Sequence, residues 1–204
     1  SQDLDAGGIA TLGDLLTDIG ARFPAIVSLY DGTASILDRT VGAGRLAPDL
    51  AARFGAGGFV GRASGRNFDT RRDLAYAPYD RLTFDVPLRD EGDVNARIWI
   101  RIDEVRHTLS LISQCLARLP GGPVRADLPG PGERREGLGL VEGFRGDILI
   151  WVALGRDGCI ERCHMRDPSW FQFPLLEAVI DGNIIADFPL CNKSFNCSYS
   201  GHDL

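Results

Sequence analysis

The sequence predicts an α+β fold in which a helical-bundle part is followed by a β-hairpin and a C-terminal helix. Apolar residues recur at helical spacing over residues 11–38 and again over 94–119. Further along, two apolar segments flank the turn GRDG (155–158), which is the pattern of a hairpin. We therefore expect residues 1–120 to form the helical part and 121–204 to form the hairpin, the helix and a tail, within one continuous folding unit.

The boundaries inside the helical part follow from proline and glycine. Pro24 interrupts the first helical pattern and predicts two helices or one kinked helix. A short helix is expected over 47–55, where Pro48 fits the first turn and Gly55 ends it. Residues 56–95 are predicted to be a long irregular loop, and such loops usually line an interface or a site.

The second part is predicted from turn signals and apolar runs. Residues 126–137 are rich in proline and glycine and indicate a linker or a mobile hairpin. Strands are expected over 146–154 and 159–165, and a helix over 170–180. An irregular tail is expected to follow residue 183.

Composition excludes several classes of protein. The net charge of −6 argues against a general nucleic-acid binder. The basic stretch 53–72 is instead expected to meet an acidic partner or a neighbouring segment.

No apolar run approaches the roughly 18 residues that a spanning helix needs. Five cysteines, an odd number, argue against a disulfide scaffold and favour a reducing cytoplasm. Since the chain begins with serine and its only methionine is Met165, we expect an excised piece of a longer protein.

Two motifs have a chemical and a structural interpretation. FGAGGFVGRASG (54–65) suggests a nucleotide loop, but the expected strand before it and the helix directly after it are absent from the pattern, so a tight packing loop is favoured. Cys159, Cys163 and His164 could hold a metal or could be ordinary hairpin side chains.

The tail LCNKSFNCSYSGHDL (190–204) also contains residues that could bind a metal. Cys191, Cys197 and His202 are either the soft-ligand half of a metal site or the remains of one.

Several motifs in one order carry a family resemblance that covers nearly the whole chain. They are RTVGAG (39–44), GRASGRNFDTRR (61–72), YAPYDRLTFDVP (76–87), GDVNARIWIRIDE (92–104), LPGGPV (119–124), VEGFRG (141–146), RDPSWFQ (166–172) and GNIIAD (182–187). Together they resemble the C-terminal half of nickel–iron hydrogenase large subunits. The nearest types are the hydrogenase-like large subunit of complex I (NADH:quinone oxidoreductase) and the formate-hydrogenlyase type. The resemblance implies a fragment of the nickel–iron hydrogenase large-subunit fold.

The resemblance also implies that the metal ligands are lost. The family carries its second ligand pair in an Asp-Pro-Cys-x-x-Cys tail. An ungapped alignment from residue 185 places the first ligand cysteine on Ser198 and the second on Gly201, with Cys197 one residue out of place. Because nickel and iron in this site need thiolates, the resemblance implies that this centre cannot assemble here.

Arg145 matches the arginine of the family's E-x-x-R-G motif, which faces the diatomic ligands of the metal in hydrogenases. Without a metal, a buried arginine needs another anion, for which Glu142, Asp187 and Asp203 are candidates. The alternative is an arginine that pins the hairpin to the tail. The resemblance therefore gives a metal-free candidate site formed by Glu142, Arg145, Asp187, Ser198 and Gly201.

The function implied is that of a large-subunit fragment in a membrane-associated respiratory or energy-converting oxidoreductase, either NADH:quinone oxidoreductase-like or hydrogenase-like. It would form a scaffold near the electron path from a partner's iron–sulfur cluster to quinone, bind no cofactor itself, and meet NAD(H) only through other subunits. The expected partners are an iron–sulfur small subunit and membrane subunits, with no nucleic acid, on the cytoplasmic side of the inner membrane.

The fragment alone is not expected to be catalytic. One alternative is an active hydrogenase or formate-hydrogenlyase subunit that binds metal through Cys191, Cys197 and His202. Another is a purely structural assembly subunit.

Overall fold

A computed structural model describes residues 4–125 and 132–203. Within these ranges the helices are α1 (Ala6–Asp31), α2 (Ala34–Thr40), α3 (Pro48–Arg53), α4 (Gly58–Arg62), α5 (Thr70–Asp73), α6 (Val94–Ala117), α7 (Ser169–Ile180), α8 (Phe188–Phe195) and α9 (Tyr199–His202). The strands are β1 (Arg135–Gly143), β2 (Gly146–Leu154) and β3 (Ile160–Arg166), and two 3-10 turns span Tyr79–Arg81 and Ile185–Asp187. Helices together with one antiparallel sheet confirm the predicted α+β class.

The first helix, α1, passes through Pro24 without ending there, so of the two outcomes predicted at this residue, two helices or one kinked helix, the chain forms one helix. The helix ends instead at Gly32, whose backbone N–H donates to the carbonyl of Ser28 at 2.9 Å, and α2 begins two residues later. Pro24 lacks the N–H that would bond the carbonyl of Gly20. Both residues are exposed, so water can satisfy that carbonyl and the helix continues.

The segment 56–95 is more ordered than the predicted irregular loop, because it contains α4, α5 and the first 3-10 turn. Asp69 caps α5 by accepting a hydrogen bond from the backbone N–H of Arg71 at 3.0 Å. Helices of four or five residues span little more than one turn, too few for an apolar period to be recognised. The neighbouring predictions of helices at 47–55 and 94–119 are confirmed by α3 and α6.

The sheet has three antiparallel strands in the order β1-β2-β3. The predicted hairpin is confirmed as β2 and β3, and Gly158 takes the positive φ of 80° that its turn requires. Strand β1 was not predicted. Of the segment interpreted as a linker or mobile hairpin, residues 126–131 lie outside the described residues, but Arg135 already begins β1. Most of β1 is exposed, so its sequence lacks the apolar alternation of a half-buried strand.

The tail after α7 is helical where an irregular segment was expected. Helix α8 ends at Asn196, which has a left-handed φ of 53° and whose N–H donates to the carbonyl of Asn192 at 3.2 Å. Helix α9 follows after two residues. The predicted helix at 170–180 is confirmed by α7.

A single buried cluster draws side chains from both predicted parts of the chain. Its largest members include Leu46, Phe59, Ile100, Leu175 and Phe195. Helix α8 therefore packs on the same core as α4 and α6, and this packing fixes where the tail lies. Among the residues described, no helix combines the length and the hydropathy needed to cross a bilayer.

Candidate functional site

The polypeptide from α8 to α9 packs against the start of α7 and against the β1–β2 turn. We call this region the tail site, and its side chains and backbone come from Arg145, Asp167, Ser169, Gln172, Cys197, Ser198 and Gly201. It contains the two positions at which the related hydrogenases are expected to carry ligand cysteines.

Ser198, at the first of these positions, acts as a helix cap. Its hydroxyl accepts a hydrogen bond from the backbone N–H of Gly201 at 3.0 Å, which caps α9. Its own N–H donates to the hydroxyl of Ser169 at 2.9 Å, and Ser169 is fully buried. The Ser198 side chain is thus engaged in local structure.

Gly201, at the second position, is closely covered by a carboxylate. A Cβ atom on Gly201 would lie 2.6 Å from Cγ of Asp167, closer than such atoms approach. Asp167 is itself held, because its Oδ1 accepts a hydrogen bond from the N–H of Ser169 at 2.8 Å. A cysteine at position 201 would therefore require Asp167 to move.

Cys197 lies half-buried between Gln172 and Arg145. Its Sγ is 3.9 Å from Oε1 of Gln172. Burial raises the pKa of the Cys197 thiol to about 11, and the opposing effect of the Arg145 guanidinium is smaller. At neutral pH Cys197 is therefore a neutral thiol.

The other members of the expected ligand set lie in different surroundings. Cys191 is fully buried in the core beside Gly44 and Arg97, and burial raises the pKa of its thiol. His202 is exposed and packs on the ring of Phe173 with centroids 4.6 Å apart. Within residues 4–125 and 132–203, no three His, Cys, Asp or Glu side chains come together as a metal site, and this includes Cys159 and Cys163 on the hairpin.

Arg145 connects the β1–β2 turn to the tail. Its Nε donates a hydrogen bond to the backbone carbonyl of Asn196, at the end of α8. The backbone carbonyl of Arg145 accepts a hydrogen bond from Nε2 of Gln172 at 2.7 Å. Of the two interpretations offered from the sequence, these contacts match the arginine that pins the hairpin to the tail.

Two of the three carboxylates considered as partners of Arg145 pair with other arginines. Glu142 contacts Arg62 at 3.0 Å, and Asp187 contacts Arg39 at 2.8 Å. The structure therefore brings Arg145, Ser198 and Gly201 to the tail site and places Glu142 and Asp187 elsewhere.

The glycine-rich segment supports the turn that carries Arg145. Gly58 has a φ of 58°, and a Cβ there would lie 2.4 Å from the carbonyl carbon of Arg145. A Cβ on Gly146 would likewise lie 2.8 Å from the carbonyl carbon of Gly57. Only glycine allows the two backbones to approach this closely, so the segment is a packing loop, as the sequence favoured over a nucleotide loop.

Three functional neighbours of the tail were not named from the sequence. Asp167, Ser169 and Gln172 contact positions 201, 198 and 197 respectively. All three lie within RDPSWFQ (166–172), which carried the resemblance. The motif showed that the segment matters, but only the fold shows which residue of the tail each one meets.

A buried ion cluster lies on the other side of the β1–β2 turn. Arg62 is only 2% exposed and pairs with Glu104, with Glu142 at 3.0 Å and with Asp69 at 3.3 Å. Burial lowers the pKa of Arg62, but the three carboxylates together raise it above its ordinary value. The basic stretch 53–72 thus meets neighbouring acidic segments, at least through Arg62.

The order of the motifs and the α+β fold point to the class of hydrogenase-like large subunits. The chain belongs to the family described as respiratory-chain NADH dehydrogenase, 49 Kd subunit, whose sequence profile matches residues 1–135. The resemblance seen in the sequence is thereby confirmed.

Its relatives include both kinds of enzyme subunit in that class. The chain is 34% identical over 84% of its length to the carbon monoxide-induced hydrogenase of Rhodospirillum rubrum. It is 32% identical over 91% to a subunit of the NADH-quinone oxidoreductase of Syntrophobacter fumaroxidans, and 34% identical over 87% to formate hydrogenlyase subunit 5 of Escherichia coli. The matched regions cover 47%, 51% and 31% of these relatives, so the chain spans about half of their length or less.

Proposed function

We propose that this chain is part of the large subunit of a membrane-associated, energy-converting oxidoreductase and that it holds no nickel–iron centre of its own. Family membership and the names of the relatives support the oxidoreductase assignment. The chain would serve as a scaffold beside the electron path from a partner's iron–sulfur cluster to quinone, and NAD(H) would enter only through other subunits.

One observation carries the metal-free part of the proposal, namely the contact between Gly201 and Asp167. The carboxylate lies within 2.6 Å of where a Cβ at position 201 would be. A thiolate ligand and the ion behind it would need that space. The capping role of Ser198 points the same way, because its hydroxyl is a hard oxygen donor that is already engaged by the backbone of α9.

The proposed partners are an iron–sulfur small subunit and membrane subunits on the cytoplasmic side of the membrane. The surface of the chain is consistent with assembly, since large apolar side chains such as Ile185 (95% exposed), Leu29 (71%) and Ile184 (66%) face outward.

The proposal is tested by purifying the native complex through an affinity tag on this subunit. Mass spectrometry is expected to identify an iron–sulfur subunit and membrane subunits in stoichiometric amounts. Quinone reduction by the complex should be blocked by quinone-site inhibitors. A tagged subunit that purifies alone would contradict the proposed partners. A complex that never reduces quinone would contradict the scaffold role beside a quinone path and would favour a purely structural assembly subunit.

A further inference from the structure

An open, mostly apolar groove of about 420 Å³ lies between α1, α6 and the β1–β2 turn. We call it the Arg101 groove. One arginine and five apolar side chains line it, namely Phe23, Ile98, Arg101, Ile102, Val105 and Phe144. Its volume lies within the range of about 300–1,000 Å³ that is typical of binding pockets. The groove therefore has room for several side chains of another molecule.

The groove runs along two antiparallel helices. Near the end of α1, the hydroxyl of Tyr30 donates a hydrogen bond to Oδ1 of Asn95 at 2.8 Å, close to the start of α6. The ring of Tyr30 also lies 6.3 Å from the ring of Trp99. Phe23, two turns earlier on α1, shares the groove with Val105, further along α6. The two helices therefore form the two sides of one elongated groove.

The apolar face of α6 continues beyond the groove. Ile98, Ile102 and Val105 are spaced i, i+4 and i+7, which places them on one face of the helix. Ile112, which is 37% exposed, follows two turns after Val105 on the same face. From Ile98 to Ile112 this face is about 21 Å long at 1.5 Å per residue. A straight apolar face of this length fits another helix better than it fits a compact ligand.

Helix α1 buries little of its own surface. Within the described ranges, Val27 is the single buried residue among the 26 of α1. Leu15 and Ile26 are 51% and 62% exposed. Helices obtain most of their stability by packing an apolar face against other elements. A further helix against α1 and α6 would supply packing that α1 does not find among the described residues.

Arg101 has a positive charge without an anion. Its Cζ lies 5.4 Å from the ring centroid of Phe144 and 5.5 Å from that of Phe59. Arg101 is half-buried, and among residues 4–125 and 132–203 its guanidinium has neither a hydrogen-bond acceptor nor an ion pair. By contrast, Arg106 on the same helix pairs with Asp103 at 2.9 Å. The two rings attract the cation of Arg101 but offer no oxygen to its five N–H donors.

An occupant of the groove must therefore bring an acceptor for Arg101. In the open groove, water can satisfy the guanidinium, because Arg101 is partly exposed. A helix that covers the groove would displace this water, and a charge that loses water without gaining a partner is costly. A carboxylate supplies two oxygens in the geometry that a guanidinium matches. Charge complementarity thus selects a helix with one carboxylate among its apolar residues.

The lengths of the relatives indicate where such a helix comes from. The matched regions cover 47%, 51% and 31% of three relatives, so a large subunit of their size contains at least about as many residues again as this chain. We propose that the Arg101 groove receives an amphipathic helix from the rest of the large subunit, and that an aspartate or glutamate on this helix pairs with Arg101. The source of the helix rests on the proposed function, whereas the chemistry of the groove does not.

Photo-cross-linking in the native complex tests which segment occupies the groove. Benzoylphenylalanine replaces Val105 in the full-length subunit, and mass spectrometry identifies the cross-linked peptide. We expect a peptide of the same subunit from outside these 204 residues, with apolar residues at helical spacing and an aspartate or glutamate among them. The same probe at Ser110, an exposed residue of α6 outside the groove, is the matched control and should not capture that peptide. Capture of another subunit or of lipid at Val105, or no capture above the Ser110 control, would overturn the proposal.

Charge exchange tests the ion pair. Arg101→Glu should lower the amount of assembled complex by about tenfold or more, because two carboxylates would then face each other. Replacing the carboxylate of the cross-linked peptide by arginine should restore assembly in the Arg101→Glu background. Arg106→Glu, which disrupts an exposed ion pair on the same helix, is the matched control and should keep assembly within about twofold of the wild type. Equal assembly of the two glutamate variants, or no rescue by the exchanged charge, would refute the ion pair.

The failure of this inference can be distinguished from the failure of the proposed function. A cross-link from Val105 to a separate protein would overturn the inference and leave the oxidoreductase assignment intact. A complex that gives the expected cross-link and rescue but never reduces quinone would refute the scaffold role beside a quinone path and leave the helix site intact.

Discussion

Single side chains determine what the tail site can bind. Asp167 fills the space beside Gly201, and Ser198 uses its hydroxyl to cap α9. Cys197 supplies a sulfur but in its neutral form. These are short-range effects, so each can be probed by one substitution.

Gly201→Ala should destabilise the chain by about 1–3 kcal/mol, because its new methyl group would overlap Asp167. Gly20→Ala is the matched control, since a Cβ at Gly20 meets nothing within 4 Å, and it should be neutral or stabilising by up to about 1 kcal/mol. Shortening the carboxylate with Asp167→Ser should remove most of the penalty of Gly201→Ala. Urea unfolding measures all three, and equal effects of the two alanine substitutions would rule out the close contact.

Cys197 should resist alkylation in the folded chain. With a pKa of about 11, only about one thiol in a thousand is ionised at pH 8. Iodoacetamide followed by peptide mass spectrometry should therefore modify the exposed Cys163 within minutes and leave Cys197 unmodified. Comparable labelling of both would contradict the raised pKa.

The raised pKa of the Cys197 thiol also predicts how the stability of the folded chain changes with pH. In the folded chain the pKa of the Cys197 thiol lies above the value of about 8.5 that a cysteine has in an unfolded chain. The neutral thiol therefore contributes fully to the free energy of unfolding below pH 8.5, and this contribution is lost as the pH rises toward 11. The free energy of unfolding of the wild type should fall more steeply between pH 9 and pH 11 than that of Cys197→Ala. If the free energy of unfolding fell equally with pH in the wild type and in Cys197→Ala, the raised pKa of Cys197 would be contradicted.

At the scale of elements, the ion cluster joins the short helices to the sheet. Arg62 on α4 reaches Glu104 on α6 and Glu142 on β1. This places a charged connection across three elements. Removal of this ion cluster should therefore destabilise the packing of all three elements.

Arg62→Met should cost about 3–5 kcal/mol, because buried carboxylates would lose their counter-charge. Arg22→Met removes an exposed ion pair with Asp18 on α1 and should cost less than about 1 kcal/mol. Thermal unfolding at pH 7 measures the difference, and similar costs for the two substitutions would show that the cluster adds no stability.

Helices and strands whose apolar residues recur at a regular spacing could be predicted from the sequence, and elements without such a spacing could not. Helix α6 and the β2–β3 hairpin follow from apolar spacing and from the turn at Gly158. Strand β1 was not predicted, because it is largely exposed and its sequence lacks the alternation of apolar and polar residues. The sequence left open whether Pro24 ends the first helix, because the cost of a proline depends on whether the freed carbonyl faces water, which the sequence does not record.

For the whole molecule, the family resemblance located the tail, but not what surrounds it. The alignment put Ser198 and Gly201 at the ligand positions, and the fold added Asp167, Ser169 and Gln172 around them. The same reasoning placed Glu142 and Asp187 near Arg145, whereas the fold pairs them with Arg62 and Arg39. Choosing among several possible ion pairs requires three-dimensional distances that no spacing in the chain provides.

The central claim is that this subunit carries no nickel–iron centre, and metal analysis tests it most directly. The native complex should be purified from cells grown with ample nickel and analysed by inductively coupled plasma mass spectrometry. We predict iron from the partner's clusters and no nickel above background per copy of this subunit. Stoichiometric nickel that co-purifies with the subunit would contradict the claim and would favour an active hydrogenase.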